Sequence, residues 1–453
     1  MHDPEAGLFG REPQLARLQD AIDRARDGEP SFLLVTGEAG IGKTRLLRAL
    51  EARAATAGLR TLWGTAIESG RGVPYLPLLA PLRAVADAHE PAPGARARGS
   101  GPDEALGTVR RALRADASEP STGATGAALE AARLVEAMFD VLARRPTLLV
   151  VDDVHWADDS TLTVLDYLAH RAVDVPLVVV AAARDEEPAA LARLPIADGR
   201  RFVRLAIDRL SAADVRRQAT ALLGGGVPAA RAGALHRRTA GNPFFVEQLL
   251  AQGDAGDASK DASKAATAPA SLRALVLRRV VGLPAEARPA VEALAVIGHA
   301  TDTGHVSRIA GLHEEVVRRA FDASTLAGIT IADDAGIAFR HPLFAEVIEA
   351  ELAGPDRRAL HAAAATEAAR AGADAAEVAD HWWRAGDRPR AWSSALDAAS
   401  AAGRSYAYAE ARLHLERALE TWPADAPGRV DALLVAARAA WLTSDPERAL
   451  GLA

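Results

Sequence analysis

The run Gly37-Glu38-Ala39-Gly40-Ile41-Gly42-Lys43-Thr44 fills the pattern GxxxxGK[ST] at every fixed position. Such a loop cradles phosphate. Its glycines let backbone N–H groups wrap an anion without Cβ clashes, and the helix that it opens adds partial positive charge at the same point. Lys43 is placed to bridge the β- and γ-phosphates of a nucleotide, and Thr44 to offer its hydroxyl to Mg2+. Arg45 follows directly and joins the nucleotide contacts. The metal needs an acidic partner. Leu148-Leu149-Val150-Val151 ends in Asp152-Asp153, an apolar strand delivering two carboxylates. Asp152 then holds Mg2+, directly or through water, and Asp153 orients or activates the attacking water. Arg184, just past the apolar run Leu177–Ala183, is a candidate γ-phosphate sensor; the alternative is a surface arginine in an acidic turn. His155-Trp156 reads as a loop histidine and a packing aromatic. The chain holds no Asn-Lys-x-Asp guanine reader, and a strand between the two phosphate motifs with a second carboxylate is the arrangement of ATPases. ATP/ADP with Mg2+ is the expected cofactor set.

Composition narrows the field. The chain has 453 residues, room for about three domains. It is 49% hydrophobic but only 4% aromatic, so alanine supplies much of the apolar content and helices should dominate. A formal net charge of −7 argues against a basic nucleic-acid coat protein. The absence of cysteine removes disulfides, thiolate metal sites and cysteine nucleophiles. The N-terminus lacks a signal peptide, and the longest apolar run, 175–183, is half a bilayer span, so a cytoplasmic protein without membrane contact is expected. Lys43, Lys260 and Lys264 are the only lysines.

These groups need elements to hold them. Strands are expected at Phe32–Thr36, Arg60–Thr65, Thr147–Asp152, Leu177–Ala183 and Phe202–Leu205, with helices at Gln14–Ala25, Lys43–Ala57, Ala127–Ala143 and Ser160–Arg171. Apolar strands alternating with amphipathic helices imply an α/β domain built on a doubly wound parallel sheet, residues 7–210. A Gly/Pro/Ser/Ala-rich stretch, about 91–126, reads as a disordered insertion carrying a short helix near Leu106–Leu113. A helical lid (211–251), a linker (252–271) with the duplication Asp257–Lys264, and a domain of short helices with a hairpin at Gly328–Phe339 (272–352) follow. From 355 to 453 the chain is alanine-rich helix. Ala395, Ala398, Ala399 and Ala402, then Tyr408, Ala411, Leu415, Ala418 and Pro423, suit the two helices of a tetratricopeptide-like repeat, and the chain stops inside such a helix.

Phe9-Gly10-Arg11-Glu12, the phosphate loop, Val151–Asp158, Gly241–Glu247 and Arg340-His341-Pro342-Leu343-Phe344 together resemble the ATPase core of the large ATP-binding regulators of the LuxR family, in the class of signal-transduction ATPases with numerous domains. The resemblance implies an AAA-like P-loop ATPase followed by a helical lid, a winged helix and an α-helical repeat tail. It places Arg11 on the adenine side, Pro243 near the base, and His341 on the nucleotide phosphate through a charge-assisted hydrogen bond, against the plainer readings of a surface arginine, a helix-breaking turn and a loop histidine. It also implies an inducer or protein partner at the repeats, with ATP-dependent self-association as a further expectation. A helix-turn-helix, usual in the family, is not found here, so DNA binding by this chain itself is in doubt.

The leading expectation is therefore an ATP-dependent switch, a slow Mg2+-dependent ATPase that forms the regulatory part of a transcriptional regulator. The ATPase module of a cyclase or kinase fusion, and a nucleotide-stabilised repeat scaffold, are the alternatives.

Overall fold

In the computed structural model the described residues are 7–87, 105–109, 124–185, 202–251, 272–333, 336–424 and 426–452. Five strands form one parallel sheet: β1 (Ser31–Thr36), β2 (Arg60–Thr65), β3 (Thr147–Asp152), β4 (Leu177–Ala183) and β5 (Phe202–Ala206), in the order β2-β3-β4-β1-β5. Every residue of β1, β3 and β4 is buried. Side chains alternate between faces with a period of two. Leu33, Val35, Leu148, Val150, Val178 and Val180 pack on one side against helices α1 (Glu12–Arg26) and α2 (Lys43–Thr56). Phe32, Leu34, Leu149, Val151, Val179 and Ala181 pack on the other, under α3 (Leu76–Asp87), α4 (Ala124–Ala143) and α5 (Asp159–Arg171). Both faces are covered, which is why these strands read as unbroken apolar runs.

Register then sets the site. Thr36 pairs with Ala183, Val151 with Ala181 and Thr65 with Asp152. The phosphate loop after β1, the carboxylates closing β3 and Arg184 after β4 therefore emerge at the same edge of the sheet.

Helices α6 (Ala212–Leu223), α7 (Ala229–Thr239) and α8 (Pro243–Ala251) enclose a small core of their own, including Val215, Leu235 and Val246. Next come α9 (Leu272–Val281), α10 (Arg288–Ile297), α11 (Thr303–Ala310) and α12 (Glu314–Leu326), then an antiparallel hairpin of β6 (Thr330–Asp333) and β7 (Gly336–Phe339), then α13 (Pro342–Glu351). Helices followed by a two-stranded hairpin are the order of a winged helix. The tail is α14 (Gly354–Ala371), α15 (Ala375–Ala385), α16 (Arg388–Arg404), α17 (Tyr408–Glu420), α18 (Arg429–Leu442) and α19 (Pro446–Leu452), with successive helices from α14 to α19 packed closely together. Alanine makes the close approach. Ala395, Ala398, Ala399 and Ala402 of α16 are buried, as are Ala411 and Ala418 of α17.

One sequence expectation needs refinement. Within the stretch 91–126 the short helix expected near Leu106 is present over residues 105–109, with Leu106 and Val109 in the main core, and α4 begins at Ala124, inside the expected insertion. Leu106 and Val109, spaced three apart, put two apolar side chains on one helical face amid otherwise polar, glycine-rich sequence. The tail packs on the ATPase module, with Ala402, Ala407 and Ala411 in the core beneath the sheet. The remainder of 91–126, the linker 252–271 with Lys260 and Lys264, and Ala453 lie outside the described residues. Among the described residues no helix is long and apolar enough to cross a membrane.

Candidate nucleotide-binding site

The phosphate loop turns from β1 into α2 through two left-handed glycines, Gly40 (φ +74) and Gly42 (φ +101). A Cβ at Gly40 would lie 2.9 Å from Cβ of Phe244, so this position needs glycine for its conformation and for its neighbour. Lys43 is buried, its Nζ donating to the carbonyls of Gly37 at 2.8 Å and Glu38 at 2.9 Å. Thr44 Oγ1 donates to Asp152 Oδ2 at 2.8 Å, and the Asp153 N–H donates to Asp152 Oδ1 at 3.0 Å. Burial raises the Asp152 carboxyl above its ordinary range, while Thr44, the Asp153 N–H and Lys43 oppose the rise. The hydroxyl and the carboxylate that a nucleotide-bound Mg2+ requires are thus already in contact, with an ammonium group beside them. The residues present fit Mg2+ and a nucleoside triphosphate.

Asp153 holds a left-handed backbone, φ +51, which is uncommon for a residue with a Cβ and clusters at functional positions. Burial, with the Asp152 charge adding, pushes its carboxyl up to about 7 against Arg184 and Lys43. His155 is fully buried, and neither ring nitrogen has a hydrogen-bond partner among the described residues. Its Nδ1 is 3.9 Å from Asp153 Oδ1, and burial, reinforced by Arg184, Lys43 and Arg71, holds it down to about 3. Trp156 carries the Arg71 guanidinium over its ring at 4.3 Å.

The lid clasps the loop through the neighbours of Pro243. Asn242 Nδ2 donates to the Ala39 carbonyl at 3.0 Å, and the Phe244 N–H donates to Asn242 Oδ1 at 3.1 Å. Pro243 opens α8, and its carbonyl accepts from Gln218 Nε2 at 3.0 Å. Arg11 is buried rather than on the surface and donates to the Ile41 carbonyl at 3.2 Å, bracing the loop. Glu38 pairs with Arg209, and Arg45 pairs with Glu247 of the lid at 3.1 Å.

Two sequence-derived residues meet the C-terminal half. Arg184 donates with both terminal nitrogens to the carboxylate of Glu346 on α13. His341 caps α13 by accepting the Leu343 N–H on Nδ1 at 3.2 Å, and its ring centre lies 4.7 Å from that of Phe244. Burial, with Arg184 and Lys43 adding, holds His341 down to about 3. The imidazole is therefore neutral near pH 7, with its proton on Nε2. Desolvation and two nearby cations disfavour the imidazolium, and the Nε2–H of the neutral ring is the group that could donate to a phosphate oxygen, a bond assisted by the charge of the anion.

Sequence reasoning missed a set of residues joining α17 to the loop after β3. Glu410 is buried and accepts from Ser160 N at 3.0 Å and Ser160 Oγ at 2.5 Å. Asp158 accepts from Tyr75 N at 2.9 Å and Thr161 N at 2.8 Å, capping α5. His414 Nε2 donates to the Gly72 carbonyl at 2.9 Å. The available signal was a carboxylate and an imidazole four residues apart on an otherwise apolar face of an alanine-rich helix.

Comparison with known proteins agrees with this geometry. Residues 7–180 match the AAA ATPase domain family. An uncharacterized protein of Rhizobium meliloti (strain 1021) is 26% identical over 189 residues, 39% of this chain and 18% of that protein. The fold is similar to that of a signal transduction ATPase with numerous domains (STAND) protein with a tetratricopeptide repeat sensor from Pyrococcus horikoshii. That match has a TM-score of 0.53 at 12% identity and covers 98% of this chain and 63% of that one. AMPPCP-bound DnaA from Aquifex aeolicus aligns with a TM-score of 0.33 at 11% identity, over 70% of this chain and 88% of that chain. The chain thus spans less than two thirds of the length of the first two. Residues 7–180 form an AAA-type ATPase domain, on a parallel sheet continued by a mostly helical C-terminal part.

Proposed function

We propose that the chain is an ATP-dependent signalling switch, the ATPase and regulatory part of a LuxR-type transcriptional regulator, reset by slow Mg2+-dependent hydrolysis. The observation that supports this most is the pairing of Arg184 with Glu346, 162 residues apart in sequence. Arg184 stands at the end of β4 beside the phosphate loop, yet its donors are engaged by the C-terminal half. A γ-phosphate and Glu346 compete for the same guanidinium, which links nucleotide state to module arrangement.

In this reading the backbone N–H groups of residues 37–43 bind the phosphates. Lys43 leaves the Gly37 and Glu38 carbonyls for phosphate oxygens. Thr44 and Asp152 hold Mg2+, which when bound neutralises charge developing on the transferred phosphoryl group. Asp153 takes the proton of the attacking water on its carboxylate, and its burial keeps it a better base than an exposed aspartate. The tail receives an inducer or protein partner in the cytoplasm, DNA is reached through an attached helix-turn-helix, and the ATP-bound form self-associates. Coupling of ~1–3 kcal/mol between nucleotide and arrangement suffices for such a switch. Release of a fluorescent ADP analogue tests it by stopped flow. Glu346→Gln, which weakens the hold on Arg184, should change the off-rate about fivefold or more; an unchanged off-rate would sink the linkage.

A further inference from the structure

A cavity of about 150 Å3 lies where the ATPase module, the winged helix and the first tail helices meet. No phosphate-loop residue lines it, and Asp153 forms its wall toward the nucleotide site. Ile67, Val296 and Phe339 give it apolar surface. Its acids outnumber the guanidinium groups that pair with them, Arg71 standing over the ring of Trp156 at 4.3 Å rather than on an acid. Five carboxylates line it: Asp153, Glu68, Glu346, Glu349 and Asp380. Arg184 holds Glu346, Arg417 reaches Asp380 at 3.3 Å, and Arg384 reaches Asp380 at 2.8 Å and Glu349 at 3.2 Å. Three guanidinium groups thus serve three of the five acids.

The other two are left short. Among the described residues, the ion-pair partner of Glu68 is Arg384 at the long distance of 4.0 Å, and Asp153 has no arginine or lysine that close. The histidines of the wall do not make up the deficit. His361 bonds Glu349 at 3.2 Å and His381 at 3.0 Å, and burial with His361 beside it holds His381 down to about 4. His299 is matched by Glu377 at 3.5 Å. Asp153 is 17% exposed, and its counter-charges, Lys43 and Arg184, lie beyond ion-pair distance. A cation delivered with an apolar body therefore gains by sitting against it and the half-exposed Glu68 while covering the apolar wall.

We propose that this cavity is a binding site for a small organic cation, an ammonium, amidinium or guanidinium group on an apolar body, its charge taken up by Glu68 and Asp153. Its volume fits one ring or the equivalent, since an apolar cavity of about 150 Å3 holds benzene. All three modules contribute walls, so the site exists only in the present arrangement, and a ligand can only favour the arrangement it binds. Occupancy therefore holds the modules together and slows ADP release. That consequence rests on the switch reading; the binding itself does not.

The test uses the whole chain and three matched probes, benzamidine, benzamide and benzoate, in calorimetric titrations at pH 8. Benzamidine should bind about tenfold or more tightly than either of the others. Glu68→Gln, a change on a half-exposed loop side chain, should erase that preference without weakening benzamide. Ala345→Leu, which fills the cavity from α13, should weaken both. Equal affinities, no benzamidine binding at millimolar concentration, or indifference to Glu68→Gln would each overturn the proposal. Saturating benzamidine should slow release of the fluorescent ADP analogue severalfold. If no nucleotide binds, the switch reading fails while the order of probe affinities still decides the cavity.

Discussion

Two of the places where the ATPase module meets the C-terminal half are of opposite character. At the first, Arg184 meets Glu346 and His341 rests on Phe244; the two charged side chains are 12% and 29% exposed. At the second, Ala402, Ala407 and Ala411 enter the core beneath the sheet, and Glu410 and His414 bond to the loops around β3 and α3 within buried surroundings. An ion pair at the edge of the site can exchange Glu346 for a phosphate, which keeps the guanidinium paired. The second contact has no such substitute, because each buried polar group left unpaired costs ~1–3 kcal/mol and the alanines would lose their packing. The difference teaches where motion should arise. The winged-helix contact is the releasable one, α17 is the fixed one, and a displacement of α13 must be absorbed by the helices between them.

The comparison can be broken or sharpened by measurement. Lys43→Ala should weaken Mg·ATP binding by on the order of 10^2–10^4-fold, since the described residues offer no other lysine for the phosphates, while amide protection at the start of α5 persists. Calorimetry with hydrogen exchange checks both halves; loss of protection at α5 would mean that the second contact also depends on nucleotide. Asp153→Asn should retain ATP and lose ~10^2-fold or more of turnover in a phosphate-release assay. Joint loss of binding and turnover would undo the division of labour between Asp152 and Asp153.

The fixed contact carries its own pH signature. Burial, with Asp158 adding, pushes Glu410 up to about 7 from the ordinary 4.5. A carboxyl whose folded value is raised stabilises the fold fully below its unfolded value, and that contribution is lost as pH rises through the folded one. Stability should therefore decline between about pH 4.5 and 7, by on the order of 3 kcal/mol from this group. Glu410→Gln should flatten that part of a denaturation-versus-pH curve, and an unchanged slope would remove Glu410 as the cause. The smallest effect is expected at the releasable contact. His341→Asn keeps a cap on α13 and removes the ring from Phe244, so ADP release should quicken by ~3–10-fold with little change in melting temperature. A melting temperature that falls with an unchanged off-rate would make His341 structural only.

The legible and illegible parts of this molecule divide by distance along the chain. β2, β3 and β4 begin and end where the apolar runs do, and β1 and β5 each gain one residue. The phosphate loop and the carboxylate pair are local patterns whose flanking strand and helix can be read beside them. The place of Arg184 at the end of β4, on the phosphate-loop edge of the sheet, was legible, but its partner Glu346 was not, because one acid on an amphipathic helix carries no mark of what it faces. Glu410 and Ser160 are 250 residues apart and meet only because α16 and α17 lie under the sheet. The buried state of Arg11 was likewise invisible, since its partner is a backbone carbonyl, which every residue has. Repeat spacing predicted how α16 packs on α17 but not that both pack on the ATPase core.

The confinement of Lys43 has a practical side. It is the sole primary amine on a side chain among the described residues, and it lies tucked against two carbonyls with little surface open to reagent. An acylating or reductively methylating reagent should find it slow to react until something draws the ammonium out of that fold. Over the described residues, amine chemistry on this arginine-rich protein becomes a one-site report on the phosphate loop, readable as a single mass increment.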